Sequence, residues 1–310
     1  MELKKRLIHV EHLFFIAYLL IQLLPNRIEG DVYTGYLFLM AFVIEGVFLI
    51  YSIAEKKKEK VNEVGKLFTV IFFVLIVYEL LSQKSEVLSH KLFPAEGIII
   101  NQLKEDFLKL LSACGNTLKT VAQGYLIALL LAIPLGLFLG WQKSIQPTAS
   151  SVVRFLSSIP PIVFIPYAIA ILPTFRSASV FVIFVAAFWP ILSGTMSGVA
   201  NIEKGVLDSA KSLNVKPFSQ LIHIIFPAAL PHIIDGMNQG MGLSFILLTS
   251  AEMIGADAEH PGLGYYINEY SNFGDFKRVI LGIVYIGVVI SVIYILIQRL
   301  EKYLLRWKRA

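Results

Sequence analysis

Apolar segments of about twenty residues recur along this chain, and they constrain its fold more than any other feature. A helix needs roughly 20 residues to cross the hydrocarbon core of a bilayer, which is about 30 Å thick. The segments are continuous and do not alternate, so they predict spanning helices and not the strands of a membrane barrel. Composition agrees, since 56% of residues are apolar, 16% are charged and the mean hydropathy is +0.70. The sequence predicts an all-α, polytopic membrane helix bundle.

Eight segments are predicted to span the membrane. They are Leu7–Leu24, Val32–Ala54, Lys66–Leu81, Thr117–Trp141, Val152–Leu172, Ala178–Ala200, Ile233–Ala256 and Val279–Leu300.

The first two spans form a pair ahead of six others. We therefore expect an N-terminal transmembrane pair in residues 1–60 and a six-helix core in residues 61–310. Glu45, inside the second span, is expected to hold the pair together. Residues 82–116 carry apolar side chains at helical spacing, which predicts an amphipathic helix on the membrane surface.

The basic residues are distributed unevenly between the loops. Lys and Arg in short loops are retained on the cytosolic side. With the amino terminus inside, 18 of the 27 fall on the inner side, 8 on the outer side, and Lys119 lies within a span. Both termini are therefore predicted to be cytosolic, in a bacterial or archaeal cytoplasmic (inner) membrane. This topology and contact with anionic headgroups explain the net charge of +5 without nucleic acid.

Residues 201–231 form a polar helix-turn-helix pattern between two apolar segments. The first helix is predicted to end near Asn214, because Asn tolerates the left-handed conformation that ends helices. Pro217 suits the first turn of the second helix, and Pro227 is predicted to end that helix before Pro231 redirects the chain into the membrane. The pattern is typical of a docking device for a soluble partner, or of a plain interhelical loop.

The hairpin contains D-S-A-x-x-L-N, followed after nine residues by I-x-F-P. It resembles the EAA loop of permease subunits of bacterial ATP-binding-cassette importers. In that family a Glu-Ala-Ala triplet, a later Gly and a distal I-x-L-P shape a coupling helix that sits in a groove of the cytosolic ATPase. This sequence has Asp for Glu, Ser for Ala, Asn for Gly and Phe for Leu. The resemblance implies that the ATPase-coupling residues are Asp208, Ser209, Ala210, Leu213, Asn214, Phe218 and Pro227.

Further strings similar to that family occur in family order between about Phe93 and Leu300. They read LFPAEGIII, SSIPPIVFIPYAIAIL, FWPILSGTMSGVANIEKGVLDSAKSLN and AEMIGADAEHPGLGYYI. They look closest to the branch that serves sulfonates, taurine, nitrate, bicarbonate and thiamine-precursor pyrimidines.

The resemblance implies a type I importer permease core with two extra N-terminal transmembrane helices. The partners it implies are a second copy of the permease, a cytosolic ABC ATPase dimer, and an extracytoplasmic solute-binding protein that lands near residues 257–276. The sequence contains no G-x-x-x-x-G-K-[ST] loop, zinc-ligand spacing or nucleophile elbow. We therefore expect no catalytic residue, metal or cofactor in this chain, with ATP and Mg bound by the partner ATPase.

Polar residues inside an apolar span are the first candidates for a translocation path, because a charge there costs at least about 2.5 to 3.5 kcal/mol. The candidates in the seventh span are Asn238, Gln239, Ser250, Glu252 and Met253. Glu252 either faces the path or an outer gate, or bonds a neighbouring helix. An ion-coupled secondary carrier or channel, with Asp235, Glu45 or Glu252 binding the ion, remains an alternative. A vitamin-transporter scaffold that also couples through cytosolic helices is a further alternative.

Small residues recur at four-residue spacing in two of the spans. This spacing lets helix backbones approach closely, either within one chain or between two copies. The two series are Ala128, Ala132, Gly136 and Gly140, and Gly236, Gly240 and Ser244.

Overall fold

The computed structural model describes residues 9–26, 33–55, 57–85, 87–254 and 259–305. Every regular element within those ranges is helical. Six of the described helices are long and apolar enough to cross a membrane, and a bent pair can supply a seventh span. The predicted all-α membrane bundle is confirmed. The chain divides into two compact units, Met1–Leu108 with Tyr270–Leu281, and Lys109–Glu269 with Gly282–Ala310. The predicted boundary near residue 60 stays a prediction.

The first unit contains α1 (Glu11–Gln22), α2 (Thr34–Ala54) and α3 (Lys58–Ser82). Their shared core is built on Tyr18, Ala41 and Phe72. In addition, His12 Nδ1 and Glu45 Oε1 lie 2.5 Å apart and join α1 to α2, as expected for Glu45.

The first predicted span is described only as the 12 residues of α1. Its start at Leu7, the start of the second span at Val32 and the end of the seventh at Ala256 lie outside the described residues.

Helix α4 runs from Glu96 to Trp141, a length of 46 residues. The helix predicted within residues 82–116 is present from Glu96, but it is not an element apart from the fourth predicted span. The stretch from Glu96 is helical, but it continues into the fourth span without a break. An isolated glycine such as Gly115 does not end a helix, and the sequence offers no capping pair between the two parts.

The fifth predicted span is two short helices rather than one continuous helix. Helix α5 (Gln146–Ser157) is followed by a 3₁₀ turn (Pro161–Phe164) and α6 (Ile165–Ile171), and the pair bends by 72°. The bend falls where Pro160 and Pro161 remove consecutive backbone donors.

Helix α7 (Phe175–Ala200) begins with a capping box. Thr174 Oγ1 accepts from the backbone N–H of Ser177 at 3.1 Å, and Ser177 Oγ accepts from the N–H of Thr174 at 3.2 Å. This start was not predicted, although two hydroxyl residues three positions apart are a recognisable signal for it.

The hairpin consists of α8 (Lys204–Ser212) and α9 (Pro217–Gln220). A five-residue π-helical turn (Leu221–Ile225) joins α9 directly to α10 (Phe226–Ile254), and α11 (Leu263–Asn272) and α12 (Phe276–Leu304) follow.

The prediction that Pro227 ends the second hairpin helix is wrong. In a regular α-helix its ring would crowd the carbonyl of His223 four residues earlier. The wider π turn accommodates it, and the helical path continues from Pro217 to Ile254.

Helices α7 and α10 form the centre of the second unit, and glycines permit their close approach. A Cβ added at Gly236 would lie 2.6 Å from the carbonyl oxygen of Pro190. On the other side of α7, a Cβ at Gly136 of α4 would lie 2.6 Å from Cβ of Thr195. Both predicted small-residue series therefore pack within one chain.

Candidate coupling hairpin and translocation cavity

The turn of the hairpin ends α8 through a Schellman motif. Asn214 has a φ of 52°, the left-handed conformation predicted for it. Its N–H donates to the carbonyl of Lys211 at 2.9 Å, and the N–H of Val215 donates to the carbonyl of Ala210 at 3.1 Å. These two bonds satisfy carbonyls that the helix end would otherwise leave without a partner. The backbone of the turn is therefore fixed by its own hydrogen bonds.

The inner face of the hairpin packs on its own chain. Ala210 is only 2% exposed, so it does not offer a small surface to a partner. Leu207 packs against a core cluster that includes Leu137 of α4, Val199 of α7 and Ile233 of α10. The hairpin is thus seated on the ends of three long helices.

The outer face of the hairpin presents large apolar side chains. Leu213 is 78% exposed and Phe218 is 73% exposed, and they lie on either side of the turn. We call these two residues the hairpin tip. Asp208 and Lys211 form an exposed ion pair at 3.6 Å beside it, which adds little stability. Ser209 is exposed on the same helix, and Pro227 is exposed at the start of α10. Apolar groups projecting from a polar element are typical of protein interaction sites.

A cavity of about 420 Å³ opens beside α7 and α10. The side chains of α10 that line it are spaced three and four residues apart, so they share one helix face. The polar lining residues are Ser157, Ser193, Ser197, His232, Asp235 and Gln239, and Trp189 is among the others.

Of the five path residues predicted from sequence, Gln239 lies in the cavity wall. Asn238 Nδ2 instead donates to Glu301 Oε2 of α12 at 3.1 Å. Ser250 Oγ donates to the carbonyl of Ile246 in its own helix, and Met253 is exposed away from the wall. The structure therefore brings one of these four to the cavity.

Sequence reasoning missed the contribution of α7 to the wall. Trp189, Ser193 and Ser197 follow one another at four-residue spacing and all line the cavity. Polar residues on one stripe of an otherwise apolar helix were the available signal.

Glu252 belongs to a group of hydrogen bonds that we call the clasp, formed with Thr117, Leu263 and Gly264. The Thr117 hydroxyl lies 2.9 Å from Glu252 Oε1, and the Gly264 N–H donates to Glu252 Oε2 at 2.8 Å. The Leu263 N–H donates to Thr117 Oγ1 at 2.9 Å. A side chain at Gly262 would overlap the carboxylate. Glu252 therefore caps the start of α11 and joins it to α4 and α10, and it does not line the cavity.

Two other expectations concern the area that receives a binding protein and the absence of a metal site. Asp257, at the start of the area expected to receive a binding protein, lies outside the described residues. Within the described ranges, the structure contains no group of three or more His, Cys, Asp or Glu placed to hold a metal ion.

Residues 132–309 match the family model described as "Binding-protein-dependent transport system inner membrane component". The chain belongs to this family. The match covers every element from α5 to α12. The cavity and the hairpin tip therefore both lie inside it. The chain is an inner-membrane permease component of an ABC transport system.

Curated relatives agree with that assignment. A putative ABC transporter permease protein of Methanocaldococcus jannaschii is 30% identical over 64% of this chain and 76% of its own length. The nitrate import permease protein NrtB of Leptolyngbya laminosa is 32% identical over 56% of this chain and 61% of its own length. The bicarbonate transport system permease protein CmpB of Synechococcus elongatus is 31% identical, with coverages of 62% and 66%.

A solved structure shares the fold. A chain of the MetNI methionine ABC transporter in an inward-facing conformation aligns with a TM-score of 0.54 and 17% identity. The alignment covers 64% of this chain and 98% of that one. The type I importer permease fold expected from the sequence is therefore confirmed.

Proposed function

We propose that this permease forms the solute path of an ABC importer and is driven by a separate cytosolic ATPase that binds the hairpin tip. The observation that carries the proposal is the exposure of Leu213 and Phe218 on a turn whose backbone is fixed by its own hydrogen bonds. An apolar tip on a rigid support suits insertion into a groove of a partner.

The connection between the hairpin and the cavity supports this mechanism. The helical path is continuous over 38 residues from Pro217 to Ile254. It begins next to the tip, and farther along it supplies Asp235 and Gln239 to the cavity wall. Movement of the tip by a closing ATPase dimer is therefore passed along one element to the wall. Two copies of the permease would rock between outward and inward openings in this way.

The cavity wall supports a small polar solute as substrate. Hydroxyl, amide and imidazole groups can each form hydrogen bonds with a solute, and Asp235 adds an acidic side chain. No Lys or Arg is present among the described residues that line it. Nitrate, bicarbonate, a sulfonate or a thiamine-precursor pyrimidine would thus pass by accepting hydrogen bonds from the serine, glutamine and histidine side chains, and an extracytoplasmic binding protein would supply most of the selectivity.

Co-purification tests the proposed coupling. The permease is expressed with a candidate ABC ATPase from the same organism, and the retained ATPase is measured for the wild type and for the double variant Leu213→Ser/Phe218→Ser. We expect retention and ATP-driven uptake in vesicles to fall by about tenfold or more, because interface energy concentrates in a few buried apolar anchors.

The matched control is Phe273→Ser, which removes an equally exposed phenylalanine outside the hairpin and should leave ATPase retention unchanged. Uptake by the purified chain alone, driven by an ion gradient and unaffected by the double variant, would instead show a secondary carrier or channel.

A further inference from the structure

A second cavity, of about 620 Å³, lies behind the hairpin. Its wall is built from the end of α4, the loop before α5, the end of α7 and one side of α8. It is separate from the cavity that contains Asp235 and Gln239, since the two share no lining residue.

The wall of this second cavity carries positive charge. Lys143 comes from the loop between α4 and α5, and Lys204 and Lys211 come from the two ends of α8. None of the described lining residues is acidic. Asp208 pairs with Lys211 at 3.6 Å, but both side chains of that pair are exposed and Asp208 is not among the lining residues. The excess of positive charge in the wall therefore favours binding of an anion.

Neutral donors add to these charges. Gln142, Ser144 and Gln146 line the same wall and can each donate a hydrogen bond. Gln146 is also the first residue of α5, a helix of 12 residues whose dipole places positive potential at that end. Several donors around a positive centre match the oxygens of a phosphate group, which accepts many hydrogen bonds at once.

The position of the cavity relative to the membrane also points to a ligand. Trp141, the last residue of α4, lies in the wall at the end of a long apolar helix. Tryptophan is enriched where such helices leave the hydrocarbon. Basic pockets at this level between helices are positions where anionic headgroups bind.

We propose that this cavity binds a phosphate group, carried either by the headgroup of an anionic phospholipid or by a soluble phosphate compound. The ligand connects α8 to the loop between α4 and α5 and to the start of α5, so its binding holds the hairpin in place. That effect on coupling rests on the proposed function, whereas the binding itself does not.

The experiment uses the full-length permease purified without any ATPase, so that a failure of the coupling proposal leaves the result unaffected. Native mass spectrometry measures retention of phosphatidylglycerol against phosphatidylcholine, and isothermal titration in neutral detergent measures binding of pyrophosphate. The test variant is Lys143→Gln/Lys204→Gln/Lys211→Gln. The control is Lys57→Gln/Lys58→Gln/Lys60→Gln, which removes the same charge from the start of α3, outside the cavity.

We expect the test variant to weaken binding by about tenfold or more and the control to change it less than about twofold, since each basic residue at such a surface contributes appreciably. Preference for phosphatidylglycerol identifies a lipid headgroup, and binding of pyrophosphate alone identifies a soluble phosphate. Equal binding by the two triple variants, or no binding of either probe to the wild-type protein, would overturn the proposal. An unchanged thermal unfolding temperature shows that both variants are folded.

Discussion

Ala210 is the residue at which sequence and structure differ most for the hairpin. The family resemblance implies that Ala210 is an ATPase-coupling residue, yet its side chain is almost fully buried within its own chain. An arginine at this position has no room, and its charge would lie against the protein interior.

We expect Ala210→Arg to lower the free energy of unfolding by about 3 kcal/mol or more, through overpacking and burial of an unpaired charge. Ser209→Arg is the matched control, since Ser209 is exposed on the same helix. Limited proteolysis and thermal unfolding of both purified variants check this. Equal stability of the two variants would contradict the burial of Ala210.

The clasp gives a second expectation at the residue scale. Thr117→Val removes both the donor to Glu252 and the acceptor for the Leu263 N–H, and should cost about 1–3 kcal/mol in local stability. Hydrogen–deuterium exchange at the start of α11 should become faster. Thr249→Val is the control, because the Thr249 hydroxyl only donates to the carbonyl of Phe245 in its own helix. Unchanged exchange in Thr117→Val would show that the clasp does not hold α11.

At the scale of helices, local signals were reliable where one residue decides the backbone. Asn214 and Pro217 occupy the turn positions that their conformational preferences predicted. Pro227 did not end its helix, because the π turn depends on how α10 packs and no sequence rule indicates it. Packing likewise decides how α10 is rotated among its neighbours. Gln239 therefore lies in the cavity wall, and Asn238 bonds to α12. Hydropathy finds the span but cannot orient it among its neighbours.

The contact between α7 and α10 allows a direct test with glycines. Gly236→Ala should lower the free energy of unfolding by about 1–3 kcal/mol, because the added methyl group meets the Pro190 carbonyl. Gly242→Ala in the same helix meets nothing within 4 Å and should be neutral or slightly stabilising. Thermal unfolding in detergent distinguishes them, and equal loss in both would contradict the close packing.

For the molecule as a whole, composition and ordered motifs were enough to predict the class, the fold and the permease family. They gave no account of how the N-terminal helices connect to the rest of the first unit. There, Tyr18 Oη donates to Glu96 Oε2 at 2.5 Å and ties α1 to the start of α4. That contact joins residues 78 positions apart, which a pattern read along one sequence does not reveal.

Tyr18→Phe should therefore destabilise the first unit by about 1–3 kcal/mol, because the buried Glu96 carboxylate loses its donor. The effect should appear as earlier proteolytic cleavage within residues 9–85. Tyr294→Phe, at an exposed position of α12, serves as the comparison and should behave like the wild type.

The π turn between α9 and α10 affects how the hairpin is oriented relative to α10. It holds one residue more than a regular helical turn, and each helical residue advances the chain by about 100° around the axis. Deleting a single residue such as His223 would rotate Phe218 by roughly a quarter-turn or more about that axis, and it would also remove the room that the π turn gives to the Pro227 ring. The direction in which the hairpin tip points is thus set by the number of residues in the π turn, so a one-residue deletion changes it while Leu213 and Phe218 stay the same.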